Sequence, residues 1–335
     1  MFIFIKEAMT TPPGSVIHAL FVFTAAVFAQ AATAADYPTK PVRLLVGFPP
    51  GGAVDVTART LAPPASERLK QQVVVDNRGG AHGNIAAEIV ARATPDGHTL
   101  LLGTISILAI NPALYKNLPF DSMTDFAPIS ILVSVSNIVV AHPSTGVSTM
   151  KELIALARAK PGMLTYATSG TGSPGHLAGE LLKTLAKINM THVPYKGGGP
   201  AMSDLLGGQV NTMFATVSTA VPHLKSGKLK GLAVTSGRRA AALPDVPTIA
   251  EATGYRSYEA NNWYGLLAPA KTPPVIVDKL NAEIHAVLKQ TDVREKLLAQ
   301  GLETSPSTPA EFSTYLKNEI TKWAKVVKEA NARVD

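Results

Sequence analysis

The stretch VRLLVGFPPGGAVDVTAR, Val42 to Arg59, does most to limit what this chain can become. An apolar run stops at Gly47, a Pro/Gly elbow follows (Pro49, Pro50, Gly51, Gly52), and a helical pattern opens near Val54. That order is strand, tight turn, helix N-terminus. The first N–H groups of a helix have no partner inside it, and the helix dipole adds partial positive charge there, so such a turn is a cradle for an anion. Glycine lets an anion's oxygens approach the main chain and permits positive φ. The device recurs in NRGGAHGN (Asn77 to Asn84), SGTGSPGH (Ser169 to His176) and YKGGGPA (Tyr195 to Ala201), each after a β-like run and before a helical one. In open α/β sheets such turns gather at the carboxyl ends of the strands, where ligands bind. Turns from two sheets facing each other would hold an anion from both sides of a cleft.

From Tyr37 onward, β-like and helical runs alternate. VRLLV, QQVVVD (71–76), TLLLGT (99–104), NIVVAH (137–142), LTYAT (164–168), THVPY (191–195), VNTMFA (210–215) and KGLAVT (230–235) read as strands. Several are apolar throughout, as parallel strands covered on both faces are. Thr149 and Glu152 make a capping box that opens MKELIALARAK, and Pro161 with Gly162 stops it. The pattern predicts an α/β protein with open, mostly parallel sheets. The C-terminal stretch reads as helical. Ile276, Leu280, Ile284 and Val287 share a helix face. Thr308 and Glu311 form a second capping box ahead of an apolar stripe, Phe312, Leu316, Ile320, Trp323 and Val327, which reads as core. Pro63 and Pro64 fall inside the first long helix, and a proline there costs about 3 kcal/mol, so a break or kink is expected with a second segment from Pro64.

The 335 residues suffice for two domains, and 46% hydrophobic content supports a real core. The net charge of +7 is spread without a basic stripe interleaved with aromatics, which excludes a nucleic-acid reading but favours small anions in a cleft. With no cysteine, disulfides, thiolate metal sites and cysteine nucleophiles are excluded. Val16 to Ala29 is apolar apart from His18 and Thr24, and small residues follow to Ala35, with A-x-A matches ending at Ala31 and Ala34. This reads as a secretory signal over 1–35, cleaved near 31–35, although the n-region has a single basic residue, Lys6, offset by Glu7. A soluble, exported mature chain is expected, the alternative being an uncleaved anchor.

Motifs for catalysis are thin. Gly170, Gly172 and Gly175 match G-x-G-x-x-G after a strand, but the next strand ends in Tyr195 and Lys196 with no carboxylate to hold a ribose, and Pro174 lacks an N–H. A nucleotide-dependent enzyme is therefore a secondary reading. There is no P-loop, no G-x-S-x-G elbow and no H-E-x-x-H. His176 and Glu180 have i,i+4 spacing, but two ligands do not make a metal site. His176 either donates to a ligand oxygen or caps its own turn. His82 reads as a solvated loop histidine. Asp55 either caps its helix or meets the ligand. No catalytic residue, cofactor or metal is assigned.

These residues resemble a known family. The stretches VRLLVGFPPGGAVDVTAR, VVVDNRGGAHGNIAAEIVARATPDGHTLLLGT, INPALYKNLPFD, GSPGHLAGELL, HVPYKGGGPAMSDLLGGQVNTMF and LAVTSGRRAAALPDVPTIAEA are similar, in the same order, to the extracytoplasmic solute receptors of tripartite tricarboxylate transporters, the Bug or TctC-like receptors. The resemblance implies a periplasmic-binding-protein (type II-like) fold, with two α/β lobes, a ligand cleft and two hinge crossings. Lobe 1 would take 36–136 plus 261–335, and lobe 2 would take 137–260. It further implies a monomeric, periplasmic protein that captures a small organic carboxylate for membrane transport subunits; a receptor for signalling without transport is the alternative. Carried onto this chain, the first jaw is Phe48, Gly51, Gly52, Ala53 and Asp55, and the opposing jaw is Ser169, Gly170, Thr171, Gly172 and His176. Lys196, Gly198 and Thr216 are wall candidates. The chain departs from the family pattern at Ala53 and Val54, where many relatives carry a hydroxyl, at Gly79 and His82 in the second turn, and at Pro63 and Pro64.

Overall fold

The computed structural model describes residues 37–330. Contacts divide the chain between Thr39 and Lys40. Of the part before, Tyr37 to Thr39 are described and belong to no helix or strand, and the predicted signal segment lies outside the described residues. The part from Lys40 on builds two sheets. The first contains β1 (Val42–Val46), β2 (Val73–Asn77), β3 (Thr99–Thr104), β4 (Phe126–Val135), β10 (Asn262–Pro269) and β11 (Leu302–Thr304) in the order β11-β4-β10-β3-β1-β2. The second contains β5 (Asn137–Ala141), β6 (Thr165–Thr168), β7 (Thr191–Pro194), β8 (Thr212–Thr216) and β9 (Lys230–Val234) in the order β7-β6-β8-β5-β9. The chain leaves the first sheet at Ser136 and returns at Asn262.

The sheets are mixed, not mostly parallel. β1 pairs in parallel with β2 and β3, and β6 with β7 and β8. β10 runs antiparallel to β3 and β4, β11 to β4, and β5 to β8 and β9. The crossings are the cause. A strand that arrives from the other sheet enters at the end where its neighbours finish. Asn137, the first residue of β5, pairs with Thr216, the last of β8, and Tyr264 near the start of β10 pairs with Thr104 at the end of β3.

Helices cover both sheets: α1 (Ala53–Leu69), α2 (Asn84–Ala91), α3 (Met150–Ala159), α4 (Pro174–Ala186), α5 (Gly198–Leu206), α6 (Val217–Lys225), α7 (Pro274–Leu288), α8 (Thr291–Ala299) and α9 (Pro309–Glu329). Both expected capping boxes are present, and a third, Thr248 with Glu251, opens the short helix Ile249–Thr253. β10 is buried along its whole length, and Gly265 leaves room for the Phe312 ring, which a Cβ there would meet at 2.3 Å. The expected break at the prolines does not occur: α1 runs continuously through Pro63 and Pro64. Pro63 is exposed and Pro64 half-buried, so the carbonyls that lose their helical donors, those of Arg59 and Thr60, lie toward water. The opposite face, Ala58, Leu61, Ala62, Ala65 and Leu69, is buried and holds the helix in place. Among the described residues, no helix is long and apolar enough to cross a membrane.

Candidate ligand-binding cleft

The turn after β1 ends in the uncapped N-terminus of α1. Its first internal bond runs from Val56 N–H to Gly52 O at 2.9 Å, so the N–H groups of Ala53, Val54 and Asp55 precede the helical ladder, and Gly52 supplies no side-chain cap. Asp55 organises this turn from below. Its carboxylate accepts from Gly51 N–H (2.9 Å), Asn77 Nδ2 (2.9 Å) and Arg59 Nε (2.9 and 3.1 Å). Burial alone would raise its pKa, but Arg59, Gly51 and Asn77 outweigh that and hold it below the usual carboxylate range. Gly51 has φ of +87°, which is why glycine stands there.

The second sheet contributes three more helix starts. In the turn after β6, Gly172 N–H donates to His176 Nδ1 at 3.1 Å, Gly170 N–H to Thr168 Oγ1 at 3.3 Å, and Ser173 Oγ caps His176 N–H at 3.3 Å, opening α4. Gly197 N–H donates to Ser169 O at 3.1 Å and ties this turn to the start of α5. Neither α5 nor α6 has a side-chain cap.

The starts of α1, α4, α5 and α6 converge on one cavity of 870 Å³. Gly51, Gly52, Ala53 and Val56 line it from the first sheet; Ser169, Pro174, Gly175, Gly198, Gly199, Thr216, Ser218 and Thr219 line it from the second. The crossing strands add Val135, Asn137 and Asn262, the loop between α8 and β11 adds Gln300, and β11 adds Leu302. Among the described residues, no Asp, Glu, Lys or Arg lines the cavity, and His223 is the one titratable side chain on its wall. Its polarity toward a ligand therefore comes from backbone N–H groups, helix dipoles, hydroxyls, the amides of Asn137, Asn262 and Gln300, and the His223 ring. Asn262 is 8% exposed, and its Oδ1 has no hydrogen-bond partner among the described residues.

Of the residues expected from sequence, Gly51, Gly52, Ala53, Ser169, Gly198 and Thr216 line this cavity. Phe48, Asp55, Gly170, Thr171, Gly172, His176 and Lys196 are not among its lining residues. Phe48 packs on the core, Thr171 and Lys196 are exposed, and Asp55 and His176 are buried behind their turns. His176 takes the capping alternative. Its Nδ1 accepts from Gly172, so the proton is placed on Nε2, 4.0 Å from Glu180. The ring stacks on His192 (centroids 4.0 Å), which stacks on Tyr166 (4.9 Å) and meets Thr168 Oγ1 through Nε2 at 2.7 Å. Burial lowers the pKa of His176 against the pull of Glu180, and burial with the neighbouring His176 and Lys183 pushes His192 down to about 3.

The turn from Asn77 to Asn84 does not join the cavity. It braces the first jaw, with Asn77 Nδ2 donating to Phe48 O at 3.0 Å and Gly83 packed so tightly on Gly47 that a Cβ on Gly47 would stand 2.7 Å from its Cα. His82 is exposed as expected, but its Nδ1 meets Tyr115 Oη at 2.6 Å. The place of this turn is taken by the start of α6, which has no glycine and so escapes a search for glycine turns. Thr216 and Thr219, whose hydroxyls stand 3.0 Å apart, were the available signal. The asparagines at the two crossings carried no motif. Among the described residues, no group of three or more metal-ligating side chains stands together.

Two mixed sheets, two chain crossings between them and a cleft at their facing ends define a two-lobed solute-binding protein of the periplasmic type. Residues 57–332 match the tripartite tricarboxylate transporter family receptors, TctC, and the chain belongs to that family. It is 39% identical over 318 residues to the protein BugT of Bordetella pertussis, covering 94% of this chain and 96% of that one. It is 38% identical over 293 residues to a UPF0065 protein of a Pseudomonas species, covering 88% and 87%. Among solved structures it is similar to Rpa4515 of R. palustris with adipate (TM-score 0.77, 39% identity, 89% of this chain and all of that one). It is also similar to MatC of Rhodopseudomonas palustris with bound malate (TM-score 0.73, 34% identity, 87% and 100%).

Proposed function

We propose that this chain is a periplasmic, non-enzymatic receptor that captures a small organic carboxylate between two lobes and delivers it to membrane transport subunits. The observation that carries the reading is the convergence of four helix N-termini on a cavity that, among the described residues, is lined by no Asp, Glu, Lys or Arg. Each N-terminus favours an anion by about 0.3–1 kcal/mol at an exposed site and more in a partly enclosed one. Relatives solved with adipate and malate support the ligand class. The moving bodies are 36–136 with 261–335, and 137–260. The first jaw is Gly51, Gly52 and the N–H groups from Ala53, opposed by Ser169, Gly198 and Thr216, with Asn137 and Asn262 at the crossings. Asp55, Gly172 and His176 shape the jaws without facing the ligand.

The nucleotide reading loses support on two counts. Pro174 opens α4 without an N–H, and the Gly172 N–H is already taken by His176. Ala53→Asp tests the carboxylate reading. An acidic residue at the first position of a helix is well tolerated, so the fold persists, while a carboxylate at the jaw opposes an anion. Calorimetric titration with adipate and malate is expected to show binding at least about tenfold weaker than in the wild-type protein. Unchanged affinity would remove the α1 N-terminus from the site.

A further inference from the structure

β11 and the loop before it belong to the first sheet yet touch the second lobe at two points. β11 is held by β4, with Leu302 against Val135 and Glu303 against Ser134. Ala241 is held on the other side, because its neighbour Ala240 is buried in the core beneath the second sheet. Between these anchored points the Glu303 carboxylate accepts from the Ala241 N–H at 2.8 Å and from Arg238 Nη2 at 3.1 Å. Two residues earlier, Gly301 approaches Ser218 so closely that a Cβ on it would stand 2.9 Å from the Ser218 Cβ. Ser218, Gln300 and Leu302 all line the ligand cavity, and Leu302 also lines a separate crevice of 450 Å³ that contains Arg238, Ala241 and Glu303. The first crossing is adjacent. Ser136 Oγ donates to Ser236 Oγ (2.9 Å), which donates to the Arg238 carbonyl (2.7 Å).

We propose that Glu303 is a hinge strut: by bonding the Ala241 main chain it fixes the resting angle between the lobes and holds Gln300 and Leu302 at the cleft. The two contacts are unequal. The Arg238 side chain is 70% exposed, and ion pairs of that kind add little. The bond to Ala241 is charge-assisted, and its donor is backbone that moves only with its lobe, so a rotation at the crossings breaks it. The consequence for ligand exchange rests on the carboxylate reading above: a weaker strut eases opening.

The chain has no cysteine, so spin labels attached through Asp278→Cys on α7 and Lys225→Cys on α6, both exposed, report one interlobe distance. Measured without ligand by double electron–electron resonance, the distance distribution of Glu303→Ala is expected to be about twofold broader than that of the unsubstituted pair. Glu303→Gln, which keeps an oxygen for the Ala241 N–H, and Arg238→Ala are expected to stay narrow. Glu303→Thr serves as a second disruption that favours the strand but is too short to reach Ala241. Wild-type distributions in both the Ala and the Thr variants would overturn the strut. Because no ligand enters this measurement, failure to bind carboxylates would refute the proposed function and leave the strut result standing.

Discussion

Asp55 and His176 illustrate what single residues do here. Both were legible as helix-start side chains, and each left two readings open, ligand contact or local support. Which one applies depends on where the side chain turns, and that follows from partners far along the chain: Asn77 for Asp55, and His192 with Tyr166 for His176. In the structure both make local contacts, Asp55 accepting from Gly51 and Asn77 and His176 accepting from Gly172. His176 also occupies the Gly172 N–H, which no spacing rule conveys. The histidine stack has a pH signature. His192 is held near 3 in the fold against 6.5 ordinarily, and His176 is lowered too, so both are neutral when folded. As pH falls below about 6.5 the unfolded chain binds protons first. Stability is therefore expected to be full above that point and to decline from about 6.5 toward 3. Melting temperatures measured from about pH 8 to about pH 4 check this, with His192→Gln giving a shallower decline. An identical slope in that variant would detach the stack from acid sensitivity.

At the scale of elements, strands with continuous apolar runs and helices with capping boxes could be read directly, because burial pattern and cap chemistry are local. The strands that could not be read as a sheet were β4, β10 and β11: β4 and β10 flank the crossings, and β11 is short and lies in a stretch that reads as helical. α1 shows tertiary contact overriding propensity. Its buried stripe keeps two prolines in a helix that local rules would break. Pro63 touches the solvent side, so Pro63→Ala is expected to restore a helical bond and raise stability by about 1–3 kcal/mol, read from the urea midpoint. No gain would mean that the native backbone there already departs from what alanine prefers. At the start of α6 only Thr216 is named, through the family resemblance; Ser218 and Thr219 look like any hydroxyls at a helix start until the sheet brings them to the cleft.

For the whole molecule, the fold makes a cleft that, among the described residues, no Asp, Glu, Lys or Arg lines. Helices placed after strands that all finish at one end bring four partial positive charges to a single cavity, and the crossings put amides at its base. On the proposed function, selectivity depends on the ligand's length and on its match to hydroxyls and amides, while the helix N-termini take the carboxylate. Such a site predicts discrimination by charge at constant shape. The most direct measurement is a thermal-shift titration of the protein from Tyr37 on, unfolded and refolded to strip bound solutes, against adipate, malate, their diamides and nucleotides. A carboxylate at 100 times its Kd adds about 2.7 kcal/mol, a clear rise in melting temperature. The account predicts a rise with at least one dicarboxylate and none with its diamide; an equal response to the diamide, a response to nucleotides alone, or no response to either acid would contradict it.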